Sequence, residues 1–130
     1  MPYTRIALAA GKPPSWLKAI SDSLQQALEE SFEVPAGDCF QVFQQCQPGE
    51  LVFDREYFSA ARSEDFILFH ITAGRARSSA CKRAFFARLA ERLEASPGLR
   101  PEDIMVVIST TGLDDWSFGK GKSALPEHDR

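Results

Sequence analysis

The chain has 130 residues, a hydrophobic fraction of 44% and a formal net charge of -3 at pH 7. This length predicts one domain spanning residues 1–130, and the small net charge gives no reason to expect a nucleic-acid partner or an anionic membrane surface. No apolar run approaches the ~20 residues that cross a bilayer, and the first residues do not resemble a secretory signal, so we expect no membrane partner.

The cysteines and histidines predict neither a metal site nor a cofactor. Cys39, Cys46 and Cys81 are odd in number and follow no ligand spacing, which is typical of reduced thiols in a cytoplasmic protein. His70 and His128 are isolated from these cysteines in the sequence.

The first half of the chain predicts a strand, a helix and a second strand. Residues 3–8 alternate, with Thr4, Ile6 and Leu8 on one face. The segment "GKPPS" ends this strand, and Ser15 is the predicted N-cap of an amphipathic helix of about 17 residues. "VPAGD" ends the helix, and "CFQVFQQ" is predicted to form the second strand.

The second half predicts the same order of elements. After a connection over roughly residues 47–64, "FILFHIT" and later "IMVVIST" are nearly continuous apolar runs, which indicate strands buried on both faces. His70, inside the first of these runs, is interpreted as a packed core histidine. Between the two strands a helix is predicted from about Ser78 to Ala95.

The two halves, roughly residues 1–60 and 61–130, therefore form a weak repeat of β-α-β units. Right-handed crossovers would place both helices on one face of a single sheet. The predicted fold class is α+β, a two-layer structure with a four-stranded sheet and two helices on one face. The other face would be left bare, and we expect oligomerisation to bury it.

Pro2 is the first candidate catalytic residue. Removal of Met1 would expose a secondary amine, and an α-amine titrates near ~8, which suits an acid, a base or a cation near neutrality. If Met1 stays, the same nitrogen is an amide without basicity. The alternative is that proline at position two only reflects methionine processing.

Five further residues are candidates for binding or catalysis. In "TAGRARSSA", Arg75 and Arg77 end a strand and lead into a helix, where they could bind a carboxylate or could be solvated surface residues. Asp38 could orient water or hold the amine protonated, or could cap a turn. Trp116 and Phe118, in "DWSFGKG", are interpreted as an apolar wall that packs against a neighbour or lines a pocket.

These residues and motifs together resemble a known family. "FEVP", "PGE", an Arg-x-Arg motif before a helix, "PEDI" and "DWSFGKG" occur in the order seen in the tautomerase superfamily, and within it the malonate semialdehyde decarboxylase group. The resemblance implies a homotrimer and a cationic Pro2 that polarises the aldehyde carbonyl of a small carboxylate substrate. Arg75 and Arg77 would bind the carboxylate, and Asp38 would assist Pro2 or activate water.

The same resemblance implies that Trp116, Phe118 and Leu125 line the substrate pocket, although Leu125 stands where a larger aromatic residue is expected. The segment 51–74 is one residue longer than in that group. The implied activity is decarboxylation of a small 3-oxo acid, with hydration as a side reaction. Two alternatives stay open: a keto-enol tautomerase with neutral Pro2 as general base, and a non-catalytic trimer that binds ligands.

Overall fold

The computed structural model describes residues 1–126, so that His128 lies outside the described residues. The elements in chain order are β1 (Pro2–Ala9), α1 (Pro14–Ser31), β2 (Gln41–Cys46), β3 (Ile67–Ala73), α2 (Ser79–Ala95) and β4 (Ile104–Thr110). Single 3₁₀ turns precede and follow β4.

The four strands form one mixed sheet in the order β2-β1-β3-β4. β1 and β2 are parallel, β3 and β4 are parallel, and the central pair β1 and β3 is antiparallel. Each parallel pair is connected through one helix, because parallel neighbours need a long crossover. The tandem β-α-β repeat and the α+β fold class predicted from the sequence are confirmed.

This topology places the strand ends that carry the candidate residues at one end of the sheet. The register pairs Pro2 with Ala73 and Ala73 with Thr110, while the N–H of Thr4 donates to the carbonyl of Phe40 just before β2. The first residues of β1 and β2 therefore lie beside the last residues of β3 and β4. We call this the proline end of the sheet.

The core lies between the helices and one face of the sheet. Its fully buried side chains include aliphatic residues of β1, α1 and α2 and aromatic residues of β3 and α2: Ile6, Ile20, Leu24, Leu89, Phe69 and Phe85. The helices are also joined at their surface, where the carboxylate of Glu30 pairs with Arg88 at 2.8 Å and with Arg92 at 2.6 Å.

The prediction that β3 and β4 are buried on both faces is wrong for the single chain. Burial alternates along β3, and Met105 and Val107 of β4 are 43% and 42% exposed. The helices cover only one face, so the apolar residues of the other face remain open. His70 lies on this open face rather than in the core, with Nε2 2.9 Å from the Oγ of Ser109.

The predicted start of the first helix is also wrong by a short distance. Pro13 occupies the N-cap and Pro14 the first helical position, so Ser15 lies inside α1 and does not cap it. Proline suits that first position because its missing N–H would have no helical partner. Neither helix within residues 1–126 is long and apolar enough to cross a membrane.

Candidate active site

Pro2 lies buried at the proline end, directly after Met1. The ammonium group of Met1 lies 2.8 Å from Oδ2 of Asp38, and the carbonyl of Met1 accepts a hydrogen bond from the N–H of Gly74 at 2.8 Å. The chain terminus is therefore held between the loop before β2 and the loop after β3. Asp38 is already paired with an amine one residue away from the nitrogen of Pro2.

Gly74 leaves room for Met1 beside Pro2. A Cβ at this position would lie 2.9 Å from Cε and 3.2 Å from Cβ of Met1. The side chain of Met1 thus fills space that adjoins Pro2 and borders the segment carrying Arg75. Removal of Met1 would free the amine and open this space at once.

Asp38 is positioned by helix α1. The amide of Gln25 donates to the carbonyl of Asp38 at 3.1 Å and to the carboxylate of Glu29 at 2.9 Å, which fixes the loop against the helix. Partial desolvation raises the pKa of the neighbouring Cys39 thiol, and the negative charge of Asp38 adds to that shift.

Arg77 is buried, and its guanidinium holds the backbone in place. Nε and Nη2 donate to the carbonyl of Phe32 at 3.2 and 3.1 Å, and Nη1 donates to the carbonyl of Arg75 at 3.0 Å. The group also stacks over the ring of Phe32, 4.4 Å from its centroid. Burial and, secondarily, the charge of Arg75 lower the pKa of Arg77, although an arginine stays protonated in proteins. One N–H remains free for another acceptor on each of Nη1 and Nη2.

Arg75 is arranged differently from Arg77. Its side chain is 58% exposed, and Nη2 lies 3.1 Å from Oε1 of Glu33. The sequence predicted either two carboxylate ligands or two solvated arginines, and it did not distinguish the two residues. In the structure the guanidinium of Arg77 binds the backbone at the C-terminal end of α1, whereas that of Arg75 is exposed.

Trp116 and Phe118, which were predicted to form an apolar wall, lie in an aromatic cluster with Phe40 that we call the aromatic wall. Trp116 and Phe118 are stacked with their centroids 5.7 Å apart, and Phe118 lies 5.6 Å from Phe40. The indole N–H of Trp116 donates to the hydroxyl of Thr111 at 2.7 Å, and that hydroxyl donates to the carbonyl of Ala73 at 2.7 Å. Since Ala73 is paired with Pro2, these hydrogen bonds connect the wall to the proline end.

The sequence analysis did not identify Phe40 as part of this wall. Its position two residues after Asp38, immediately before a strand, was the available signal. Leu125, the third predicted wall residue, is 44% exposed. The chain nevertheless returns to the wall beside it, because the N–H of Ala124 donates to the carbonyl of Trp116 at 2.8 Å.

A cavity of about 730 Å³ lies elsewhere, around the first residues of β3 and β4. Its walls are mostly apolar and include Val52, Phe58, Phe66, Phe86 and Met105. It is at the opposite end of the sheet from Pro2, Asp38 and the segment that carries Arg75. Within residues 1–126 no cluster of three or more His, Cys, Asp or Glu residues could hold a metal ion.

Comparison with known proteins gives the family. Residues 38–119 match the family described as "Tautomerase enzyme". A protein of Bacillus subtilis (strain 168) named "Probable tautomerase YusQ" is 32% identical over 127 residues, which is 98% of this chain and 100% of that protein. The chain belongs to the tautomerase superfamily.

Two solved structures show which group within the superfamily this chain is similar to. A malonate semialdehyde decarboxylase, described for its decarboxylase and hydratase activities, is 31% identical with a TM-score of 0.87 over 92% of both chains. A second malonate semialdehyde decarboxylase, inhibited by 3-bromopropiolate, is 28% identical with a TM-score of 0.85 over 92% of this chain and 91% of that chain. The resemblance found in the sequence motifs is thereby confirmed at the level of the superfamily and of similarity to these decarboxylases.

Proposed function

We propose that this tautomerase-superfamily enzyme decarboxylates small 3-oxo acids of the malonate semialdehyde type, with Pro2 as an N-terminal amine after removal of Met1. One observation carries the proposal. Three groups lie at the same end of the sheet, next to the aromatic wall: the backbone nitrogen of Pro2, the carboxylate of Asp38 and the exposed guanidinium of Arg75. The similarity to two malonate semialdehyde decarboxylases over more than nine-tenths of the chain supports it.

The reaction needs an electron sink and a less solvated carboxylate. When the carbon–carbon bond to the carboxylate breaks, its electron pair moves onto the aldehyde carbonyl and forms an enolate, and carbon dioxide leaves. The enolate then takes a proton at carbon. A cationic Pro2, held protonated by Asp38, would stabilise the negative charge that develops on the carbonyl oxygen.

Arg75 would bind the carboxylate of the substrate through its planar N–H groups. Arg77 would act mainly by holding the backbone of Arg75 and the end of α1, and its remaining N–H on each Nη could reach the same anion. Trp116, Phe118 and Leu125 would exclude water from the departing carboxylate, which favours the loss of its charge. The same cationic amine could add water to an unsaturated acid, which is the hydratase side activity.

The alternative is a keto-enol tautomerase in which Pro2 is neutral and removes a proton as general base. The name of the Bacillus subtilis relative, a probable tautomerase, favours this candidate. The two candidates differ in the protonation state of one amine. For a cationic amine kcat/KM falls as pH rises through the pKa of the amine, whereas for a general base kcat/KM rises.

The decisive experiment begins with the intact mass of protein made without an N-terminal tag. We expect the mass of the chain without Met1, decarboxylation of malonate semialdehyde or ketonisation of enol-phenylpyruvate, and loss of that activity in Arg75→Ala. Retained Met1 without turnover of either substrate would instead support the third candidate, a non-catalytic ligand-binding homologue. Full activity of Pro2→Ala would show that the proline amine does not carry the reaction.

We further propose that the protein assembles as a homotrimer through the open face of its sheet. Met105 and Val107 on this face expose apolar surface, and Tyr3, Arg5 and His70 form a polar stripe beside them. Large apolar sheet faces are seldom left in water. The mass of the assembly in solution tests this proposal.

A further inference from the structure

The carboxylate of Glu33 forms an intramolecular ion pair with Arg75 and lies close to Arg77. Its Oε1 lies 3.1 Å from Nη2 of Arg75 and 4.0 Å from Nε of Arg77. The substrate's carboxylate is proposed to bind at the same guanidinium group of Arg75. Glu33 therefore lies at the position where the carboxylate of a ligand would pair with Arg75.

The backbone of Glu33 is unusual for a glutamate. Glu33 follows the C-cap residue Phe32 of α1 and has φ +57°, which lies in the left-handed region. Glycine is the residue most often found at this position, because a Cβ is unfavourable there. The fold thus keeps a charged side chain at a position where its backbone is unfavourable and its carboxylate reaches the arginines.

The net charge around the two arginines matches a ligand with one carboxylate. Arg75 and Arg77 carry two positive charges, and Glu33 offsets one of them. Asp38 is paired with the terminal amine and gives no free cation. A ligand with one carboxylate would restore neutrality, whereas a second carboxylate on the same ligand would face Glu33 without a cation of its own.

We propose that Glu33 determines specificity by making the arginine pair select monocarboxylates over dicarboxylates. The inference rests on the proposed function of Arg75 as the carboxylate ligand. Both Arg75 and Glu33 are 58% exposed, so their ion pair is weak and easily exchanged for a ligand. After a ligand has displaced Glu33 from Arg75, Glu33 still repels the second negative charge of a dicarboxylate. At this exposure the repulsion lowers the affinity for the dicarboxylate by about fivefold relative to the monocarboxylate.

The test uses two three-carbon acids, propanoate with one carboxylate and malonate with two. Their Kd values are measured by ¹H–¹⁵N chemical-shift titration, following the amides of Gly74 and Arg75, in the wild type and in Glu33→Gln. The expected result is that Glu33→Gln lowers the ratio of the malonate Kd to the propanoate Kd by about fivefold at low salt. In ~1 M NaCl, where the screening length is ~3 Å, the shift in this ratio should shrink.

Glu64→Gln is the matched control, because Glu64 forms an exposed ion pair with Arg55 away from the proline end. Its Kd ratio should equal that of the wild type. Glu33→Asn serves as a second variant, since asparagine tolerates a positive φ better than glutamine does.

An unchanged Kd ratio in both Glu33 variants overturns the inference. So does a failure of propanoate to shift the two amides in the wild type, or of malonate to shift them in the Glu33 variants. The proposed function is tested separately by turnover and by the loss of turnover in Arg75→Ala. A protein that turns over no 3-oxo acid or enol substrate but shows the expected Kd ratios would refute the proposed function and leave the role of Glu33 standing.

Discussion

Substitution of Arg77 by alanine should destabilise the fold, whereas the same change at Arg75 should not. The guanidinium of Arg77 donates twice to the carbonyl of Phe32 and once to the carbonyl of Arg75, and only 2% of its side chain is exposed. In Arg77→Ala the carbonyl of Phe32 at the end of α1 loses both donors, and the ring of Phe32 loses the cation above it.

The magnitude follows from these contacts. A buried carbonyl left without its donor costs roughly 1–3 kcal/mol. A partly desolvated cation–π contact contributes roughly 1–2 kcal/mol more. We therefore expect Arg77→Ala to lower the free energy of unfolding by about 3 kcal/mol, which in a domain of this size lowers Tm by roughly 10 °C. Arg75→Ala should change the free energy of unfolding by less than about 1 kcal/mol, because its ion pair with Glu33 is exposed.

Urea unfolding followed by circular dichroism measures both variants under the same conditions. Arg75→Ala is the control for loss of one positive charge from this segment, and an unchanged m-value would show that the same unfolding transition is compared. If Arg77→Ala unfolds within about 1 kcal/mol of the wild type, then Arg77 does not support the end of α1 and its buried hydrogen bonds have been misread.

Three other changes test other parts of the structure. Gly74→Ala should raise KM by roughly tenfold in protein that lacks Met1, because the added methyl enters the space that Met1 fills, while unfolding by urea stays close to wild type; an unchanged KM would mean that this space is not used by the substrate. The arginines of α2 lower the pKa of Glu30 to about 2. The stabilising contribution of Glu30 is therefore present at neutral pH and lost as pH falls from about 5 toward 2, so the stability difference between wild type and Glu30→Gln should disappear over that range, and a difference independent of pH would contradict it. Val107→Glu should convert the proposed trimer to monomers in light scattering after gel filtration, and a trimer of unchanged mass would show that the open face is not the interface.

The arrangement of the elements could be predicted from the sequence because each signal is local. Alternation in β1, helical spacing in α1 and α2, and the proline and glycine breaks between them recur in the same order in both halves. Right-handed crossovers then leave few ways to form one sheet. That Pro2, Asp38 and the segment carrying Arg75 lie at one end of the sheet is seen only in the register of the strands.

The exposure of β3 and β4 could not be predicted in this way. A continuous apolar strand has the same composition whether a helix or another subunit covers its second face. His70 was placed in the core for this reason, although its partner Ser109 is on the open face. An apolar pattern therefore does not say whether the covering surface belongs to the same chain. In the single chain the helices cover only one face of the sheet.

The different environments of Arg75 and Arg77 also depend on a contact that no local pattern contains. Arg77 is buried because the end of α1, distant in sequence, presents the carbonyl of Phe32 to it, and Glu33 follows in a left-handed conformation that directs its carboxylate toward Arg75. The end of one helix thereby fixes one arginine and neutralises part of the charge of the other. The Arg-x-Arg motif alone suggests a site with two equivalent cations, suited to a dianion. With Phe32 and Glu33 beside it, the same motif has one buried guanidinium, one exposed guanidinium and a net single positive charge. The ligand charge that we propose for this site therefore depends on the segment after α1 as much as on the arginines.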